Sequence, residues 1–398
     1  MSKERIGIMG GTFNPIHSGH IRMALEAQKA AGLDQVLVLP SGVPPHKQEI
    51  APAEDRWRMV CAACAQESAL TPCRMELDRE GTTYTVDTLS ILREKYPRAD
   101  FFYIIGTDSL MELHTWRRVD DLLKMCTFLV CPRVCKHAPE AQRQQLQDLT
   151  ARGGRFQMLN MDVITVASTD IRAALQEGGA TPLLPVPVRE YCAVKGLYGM
   201  SPRISDAEQW LAMLFRDLTV KRFSHTLAVA DTARHLAQVH HLDVLKAEIA
   251  GLLHDCAKCL PLKDMQALAR DKQLTQDESL LESSALLHSV TGAYLAEHQY
   301  NVHDPEILSA IACHTTGKPG MTALDMAVYL ADKIEPTRQS YPLLDMVRVM
   351  ARLSLSRAIT ASMEGTASYV RKGGKPLHPM TTETLAWLKT LPESQGNA

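Results

Sequence analysis

The residues best suited to chemistry fall into two groups that are built differently. Near the N-terminus an apolar run at Arg5–Met9 leads into Gly10-Gly11-Thr12-Phe13-Asn14-Pro15-Ile16-His17-Ser18-Gly19-His20. Paired glycines after a strand let backbone N–H groups approach an anion closely. A helix starting near Ser18 sets its positive end beside both histidines. A triphosphate there would meet backbone donors, a helix dipole and two imidazoles together. No GxxxxGK[ST] string occurs, so this is not a P-loop. Further on, Ser168 and Thr169 read as an N-cap opening a short helix that ends at Gly178-Gly179. With Arg172 one turn in, that end is a second anion site suited to β and γ phosphates. Lys47 follows two prolines that stiffen its loop, and is either a charge for the same cluster or a solvated cation.

The second group runs His225, His254-Asp255, His288, His314, Asp332. Helical spacing puts each on an apolar face: His225 with Val229 and Leu236, His254 with Ala247, Ala250 and Gly251, and His314 with Ile307, Ala310 and Ile311. His288 falls with Leu281, Ala285 and Gly292, and Asp332 with Val328 and Tyr329. A polar group on an apolar face is costly unless paired. A single such histidine is ordinarily a satisfied core residue. Six groups on five successive helices, two of them carboxylates, point instead to a shared metal site. Lys258, one turn past the ligand pair, is either a partner for a substrate phosphate or a solvated helix-end lysine.

The elements that must position these groups change character midway. Arg5–Met9, Val36–Leu39, Phe101–Ile105, Thr127–Cys131 and Asp162–Val166 read as buried parallel strands, alternating with helical stretches such as His20–Ala31, stopped by Gly32. That pattern predicts an α/β doubly wound parallel sheet. After Gly199-Met200-Ser201-Pro202 only amphipathic helices follow. The expected domains are residues 1–200 and an all-α 203–390, with a disordered tail at 391–398.

With 398 residues, 45% hydrophobic and 22% charged, two or three cores are expected. The net charge of -2 argues against a nucleic-acid partner. No apolar run approaches the ~20 residues of a membrane span. The N-terminus enters a strand at once, leaving no room for a signal peptide, and the ten cysteines read as reduced, buried thiols of a cytoplasmic chain. Cys61/Cys64 and Cys256/Cys259 have CxxC spacing but fall in helical segments, a weak zinc signal. Oligomeric state is left open, and a homo-oligomer is compatible with the sequence.

The eleven-residue string, followed in order by Pro44-Pro45-His46-Lys47, Thr83–Leu89, Ile104–Leu110, Trp116 and Ser168–Arg172, resembles the nicotinate-mononucleotide adenylyltransferase form of the nucleotidylyltransferase superfamily, with a Rossmann-like fold. The resemblance implies transfer of AMP from ATP to nicotinate mononucleotide with Mg²⁺. His17, His20, Lys47 and Arg172 would stabilise charge. Gly10, Gly11, Thr12, Phe13, Thr85, Gly106, Asp108, Trp116, Ser168 and Thr169 would bind the nucleotides, with Trp116 stacking on the nicotinate ring. Ala167 stands where the family usually has serine. Phosphopantetheine adenylyltransferase is the nearer rival, disfavoured by Asn14 and the Tyr84–Leu89 block.

The second half resembles the HD-domain metallohydrolases, and among them the symmetrical diadenosine tetraphosphatases, through Lys221–Leu227, Ala250–Lys258, His314–Gly317 and Ala331–Pro336. That likeness implies one metal on His225, His254, Asp255 and Asp332. A second would sit on His288 and His314, with Asp255 bridging. Fe or Mn is expected there, with Co or Zn as alternatives. Diadenosine tetraphosphate would be cut into two ADP, with Lys258 near its phosphates. The rival expectations are hydrolysis of a different nucleotide, or a nucleotide-sensing module whose metals are structural.

Overall fold

The computed structural model describes residues 3–42, 50–178, 181–374 and 377–391. Packing divides the chain into two compact units. One runs to Arg189 and takes in Leu197–Met200, and the other comprises Glu190–Gly196 and the residues from Ser201 onward. Glu190–Gly196 joins the second unit through Glu190, which accepts from Arg203 at 3.0 Å, and Tyr191, whose ring meets Phe223 at 6.4 Å.

In the first unit β1 (Arg5–Gly11), β2 (Gln35–Pro40), β3 (Leu70–Pro72), β4 (Asp100–Gly106), β5 (Thr127–Cys131) and β6 (Arg155–Met158) form one sheet, ordered β3-β2-β1-β4-β5-β6. All its pairs are parallel. The chain winds outward from β1 to one edge, then from β4 to the other. The strand order reverses between these two neighbours, and doubly wound sheets take ligands at the carboxyl ends of such strands. Gly10-Gly11 ends β1 and Gly106 ends β4, so both glycine turns open at that crevice. Ile6, Ile8, Leu37, Leu39, Ile105, Phe128 and Val130 fill the core beneath. Helices α1 (Ser18–Ala31), α2 (Ala53–Cys64), α3 (Thr85–Lys95), α4 (Thr107–Glu112), α5 (Val119–Met125), α6 (Pro139–Ala151) and α7 (Ser168–Gln176) make the connections. Helix α1 stops at Gly32, whose φ of 55° suits the left-handed cap. Helix α8 (Val186–Lys195) runs across the division between units.

The expected strand at Asp162–Val166 is not formed. Arg155–Met158 already fills the place beside β5, pairing Thr127 with Arg155 and Val130 with Met158. The later segment touches the sheet only through a bridge between Ile164 and Arg133. The short β3, paired with β2, was not anticipated.

The described residues of the second unit form helices only: α9 (Ala207–Asp217), α10 (Val220–Val239), α11 (Val244–Leu253), α12 (Leu262–Asp271), α13 (Glu278–Leu281), α14 (Ser284–His298), α15 (Pro305–Cys313), α16 (Ala323–Ile334), α17 (Leu344–Leu353), α18 (Leu355–Lys372) and α19 (Pro379–Leu388). Four that carry or lead into the candidate ligands start on side-chain caps, Thr219, Asp243, Asp304 and Thr322, each accepting a backbone N–H of the first turn. Such a cap contributes about 1 kcal/mol. Helices α10 and α11 cross closely at Gly251, where a Cβ would lie 2.9 Å from the Ala230 Cα and 3.1 Å from the Val229 carbonyl oxygen. No side chain fits there. His288 lies on α14, whose buried side is made by Leu287, Thr291, Gly292 and Leu295. Leu281 belongs to α13 and Ala285 is exposed, so these two do not share its face as expected. Among the described residues no helix is long and apolar enough to cross a membrane, and all ten cysteines are unpaired.

Candidate functional site

In the first unit the chain leaves β1 through Phe13, whose φ of 48° is unusual for a side chain of that size. The turn buries the Phe13 ring and brings it edge-on to His20 at 5.0 Å. His17 occupies the N-cap of α1, and its ring stacks on that of His20 at 3.7 Å. The His17 backbone N–H also donates to His20 Nδ1 at 3.3 Å. His17 is 1% exposed, and neither ring nitrogen has a partner among the described residues. Burial, helped by the nearby Arg133 guanidinium, pushes its pKa down to about 4. It is therefore neutral at pH 7, with N–H and lone pair both available.

The start of α7 is fastened to the same turn. Arg172 Nη1 donates to the Asn14 carbonyl at 2.9 Å, and the Ser168 hydroxyl donates to that of Pro15 at 3.1 Å. Ser168 is thus not the N-cap expected of it. Ala167 holds the cap position without a side-chain bond, and Ser168, already helical, ties two segments together. Thr169 is exposed beside it.

Arg133, just past β5, pairs with Asp108 at 3.2 Å and donates to the Val166 carbonyl at 3.3 Å. Asp108 lies in the first turn of α4, whose N-cap is Gly106. A Cβ on Gly106 would strike the Asp108 carboxylate at 2.3 Å. On the other side of β4 the buried Tyr103 hydroxyl would lie 2.6 Å from a Cβ at Gly10, so that glycine admits it. The same hydroxyl is 3.5 Å from Thr85 Oγ1, and the Tyr103 ring meets half-buried Trp116 edge-on at 6.0 Å. The fold thus gathers His17, His20, Phe13, Ser168 and Arg172 in one group, and Gly10, Thr85 and Trp116 around Tyr103 in another. Gly11 admits the Phe13 ring, and the Thr12 carbonyl accepts from Arg56 at 3.0 Å. Lys47 and the rest of its Pro-Pro-His-Lys block lie outside the described residues, as does the tail from Pro392.

In the second unit all six candidate ligands are buried and converge. Ligand atoms of His225, His254 and Asp332 lie within 4.8 Å of one another, as do those of His254, Asp255 and His314. His288 Nε2 is 3.0 Å from Asp255 Oδ1 and 3.1 Å from His314 Nε2. His254 and His314 use one device twice. Each is the C-cap of its helix, and its Nδ1 bonds at 2.7 Å to the carbonyl three residues back, Gly251 or Ile311. Helix ends leave such carbonyls free, and the bond fixes the tautomer that leaves the Nε2 lone pair pointing inward. His288 Nδ1 does the same with the Ser284 carbonyl at 3.1 Å. His225 Nδ1 instead faces the Glu335 carboxylate at 3.0 Å.

These features fit a metal. His254 Nε2 is fully buried and makes no hydrogen bond among the described residues, although Asp255 Oδ2 is 3.3 Å away. An inward lone pair of this kind calls for a cation, and the helix C-termini that present it favour one. Burial lowers the His288 pKa to about 4 and also lowers that of His314, so both are neutral donors at pH 7. Burial alone would raise Asp255 and Asp332. Contacts with the His254, His288 and His314 rings hold Asp255 well below its usual value, and Lys333 with His225 and Arg338 does so for Asp332. Cations ring the cluster: Arg222 pairs with Asp255 at 2.6 Å, Lys333 with Asp332 at 2.8 Å, and Arg338 with Asp332. Lys258 Nζ lies 3.3 Å from both ring nitrogens of His288, which puts it in the site rather than in solvent.

Comparison with known proteins separates the two halves in the same way. A cytidylyltransferase-like family model matches residues 8–174. A probable nicotinate-nucleotide adenylyltransferase of Gloeobacter violaceus is 40% identical over 200 residues, covering 49% of this chain and 96% of that protein. The chain belongs to the nicotinate-nucleotide adenylyltransferase family. A second relative of that name, from Halalkalibacterium halodurans, is 39% identical and covers 49% of this chain and 91% of its own length. The adenylyltransferase half is fused to an HD domain, whose family model matches residues 222–337. A crystal structure of a predicted HD superfamily hydrolase involved in NAD metabolism, from Clostridium acetobutylicum, is 36% identical. It covers 46% of this chain and 96% of that one, with a TM-score of 0.45.

Sequence reasoning missed Arg133 in the adenylyltransferase half, although a lone cation directly after a strand was a signal. In the HD half it missed Arg222, Lys333, Glu335 and Arg338. All four flank ligands in sequence, but only the packing shows that they face inward.

Proposed function

We propose that the adenylyltransferase half joins the adenylyl group of ATP to nicotinate mononucleotide, a step of NAD synthesis. The likeness across 96% of a curated relative carries this reading. A 5′-phosphate oxygen of the mononucleotide attacks the α-phosphorus of ATP. The bond from that phosphorus to the α–β bridging oxygen breaks, and pyrophosphate leaves with the electron pair. No nucleophilic side chain is required, because positioning and charge neutralisation suffice. The N-terminus of α1, Arg133 and Arg172 supply fixed positive potential. His17 and His20 supply donors that do not have to be stripped of water, and Lys47 adds a positive charge. Trp116 and Tyr103 form a wall for the nicotinate ring, and Thr85, Gly106 and Asp108 line the crevice beside it. Mg²⁺ enters with the nucleotide and neutralises its phosphate oxygens.

For the HD half we propose metal-dependent hydrolysis of diadenosine tetraphosphate, one water added and two ADP released. What supports this is the convergence of inward-facing imidazoles and carboxylates inside a ring of cations suited to a long polyphosphate. His225, His254, Asp255 and Asp332 would hold one ion. His288 and His314 would hold another, with Asp255 between them. Iron or manganese matches the donor set, with cobalt or zinc as alternatives. When bound, such a pair supplies an activated water and neutralises charge at phosphorus. Lys258 and Arg222 orient the phosphates.

One preparation tests both. Supplied with ATP, Mg²⁺ and nicotinate mononucleotide, the chain should form the dinucleotide and pyrophosphate. Supplied anaerobically with Fe²⁺ or Mn²⁺ and diadenosine tetraphosphate, it should form ADP alone. ATP plus AMP would move the cleavage position, and no cleavage at all would favour a sensing role.

A further inference from the structure

Helix α17 buries Leu344, Val347 and Ala351 beneath it. Its opposite side is apolar too: Met346 is 47% exposed, Val349 62% and Leu353 77%. On a helix, Met346 and Leu353 lie seven residues apart on one flank of Val349. Asp345 and Arg352, also seven apart, lie on the other flank. Both charged residues are exposed; the Asp345 side chain keeps 90% of its surface while meeting Arg348 of its own helix at 3.3 Å, an exposed i,i+3 pair of little strength. The apolar surface continues onto α18. Gly365 there sits under Leu343, a Cβ being 3.1 Å from its Cδ1, and Tyr369, one turn on, is 80% exposed. A contiguous apolar patch of this kind on a soluble surface marks an interaction site.

The flanking charges identify what covers it. We infer that α17 pairs antiparallel with α17 of a second copy of this chain, about a two-fold axis midway between Arg348 and Val349. A two-fold axis perpendicular to the helix pair keeps the charged flank of one helix beside the charged flank of the other. In this register Asp345 of each copy meets Arg352 of the other, so two ion pairs form on one side. On the other side Met346 of one copy packs against Leu353 of its partner, with Val349 at the centre. One acid and one base of opposite sign, seven residues apart on one flank, make the face complementary to itself, with Asp345 able to add Arg352 of the second copy to its contact with Arg348. The inference is independent of what either half catalyses.

Sedimentation velocity of the full chain over about 1–100 µM brackets the affinity expected of an interface at the small end of the specific range. A dimer is expected. Val349→Glu should be monomeric. Asp345→Arg and Arg352→Asp alone should each weaken association by about tenfold or more, because like charges then face each other twice. Equal mixing of these two variants should restore the dimer, since each copy then carries the complement of the other. These positions are exposed, so folding is preserved. Recovery on mixing is also something a misfolded variant cannot give. A wild-type chain that stays monomeric, a dimer indifferent to Val349→Glu, or single variants that fail to recover on mixing would each overturn the pairing.

Discussion

The two candidate sites are assembled by opposite constructions. The adenylyltransferase half takes the groups proposed to meet phosphate largely from one contiguous turn between a strand and a helix. Arg172 and Ser168 are brought in to brace that turn through its backbone carbonyls. The HD half has no such segment. Its candidate ligands come one or two at a time from α10, α14 and α16 and from the ends of α11 and α15, and His225 and Asp332 meet at 3.0 Å across 107 residues. A contiguous site is preassembled by local geometry and needs only a crevice above it. A dispersed site exists only when every helix is docked. The electrostatics differ in the same sense. In the first site Arg172 rests on a backbone oxygen and Arg133 is shared between a backbone oxygen and Asp108, whereas Arg222, Lys333 and Arg338 of the second are paired directly to carboxylates of the candidate ligand set.

The comparison breaks most decisively at the dispersed site. His254→Ala removes the central ligand, and should abolish metal loading by elemental analysis and lower hydrolysis by about 10³-fold or more. Dinucleotide synthesis should remain near wild type. Loss of both activities would mean that the halves are not separable. In the contiguous site His17→Ala should lower the turnover number of adenylyl transfer by about 10²–10³-fold, the effect of losing one preorganised donor. Hydrolysis and metal content should not change. A drop confined to the Michaelis constant would instead make His17 a binding group.

Glu335 sharpens the contrast, because it supports the candidate ligand His225 through its outer ring nitrogen. Glu335→Gln leaves a weaker acceptor for His225 Nδ1, and should loosen Mn²⁺ binding by about 10–100-fold, read by equilibrium dialysis. Unchanged affinity would reduce that carboxylate to a loop brace for Thr337. The last effect concerns acid. The His17 pKa is about 4 when folded against 6.5 unfolded. Its neutral form therefore contributes stability that is complete above about pH 6.5 and is lost as pH falls toward 4, amounting to about 3 kcal/mol. Denaturant midpoints of the first transition, followed from pH 7 to 4.5, should fall more steeply in the wild type than in His17→Gln. Parallel curves would place the acid sensitivity elsewhere.

What could be read in advance depended on whether the signal was local. The apolar runs at Arg5, Val36, Phe101 and Thr127 became strands because burial on both faces requires such runs. At the sheet edges that requirement lapses. Leu70–Pro72 and Arg155–Met158 are short and half polar, so nothing in their composition marked them. Asp162–Val166 looked more strand-like than either but arrived after the place beside β5 was filled. The convergence of the six candidate ligands was legible because histidines and carboxylates on apolar faces need an explanation. Arg222, Lys333, Glu335 and Arg338 are charged residues of a kind found on any surface, and only tertiary packing shows which of them turn inward. Ser168 was misread for a similar reason: its hydroxyl serves a distant carbonyl rather than its own helix.

The close crossing at Gly251 has a consequence beyond packing. His225 hangs from α10 and His254 from the end of α11, so the gap between their donor atoms is fixed by how near those two backbones approach. A residue with no side chain thereby acts as the gauge of the spacing between two of the candidate ligands. A methyl group at Gly251 would push α10 and α11 apart and shift both imidazoles without altering either one.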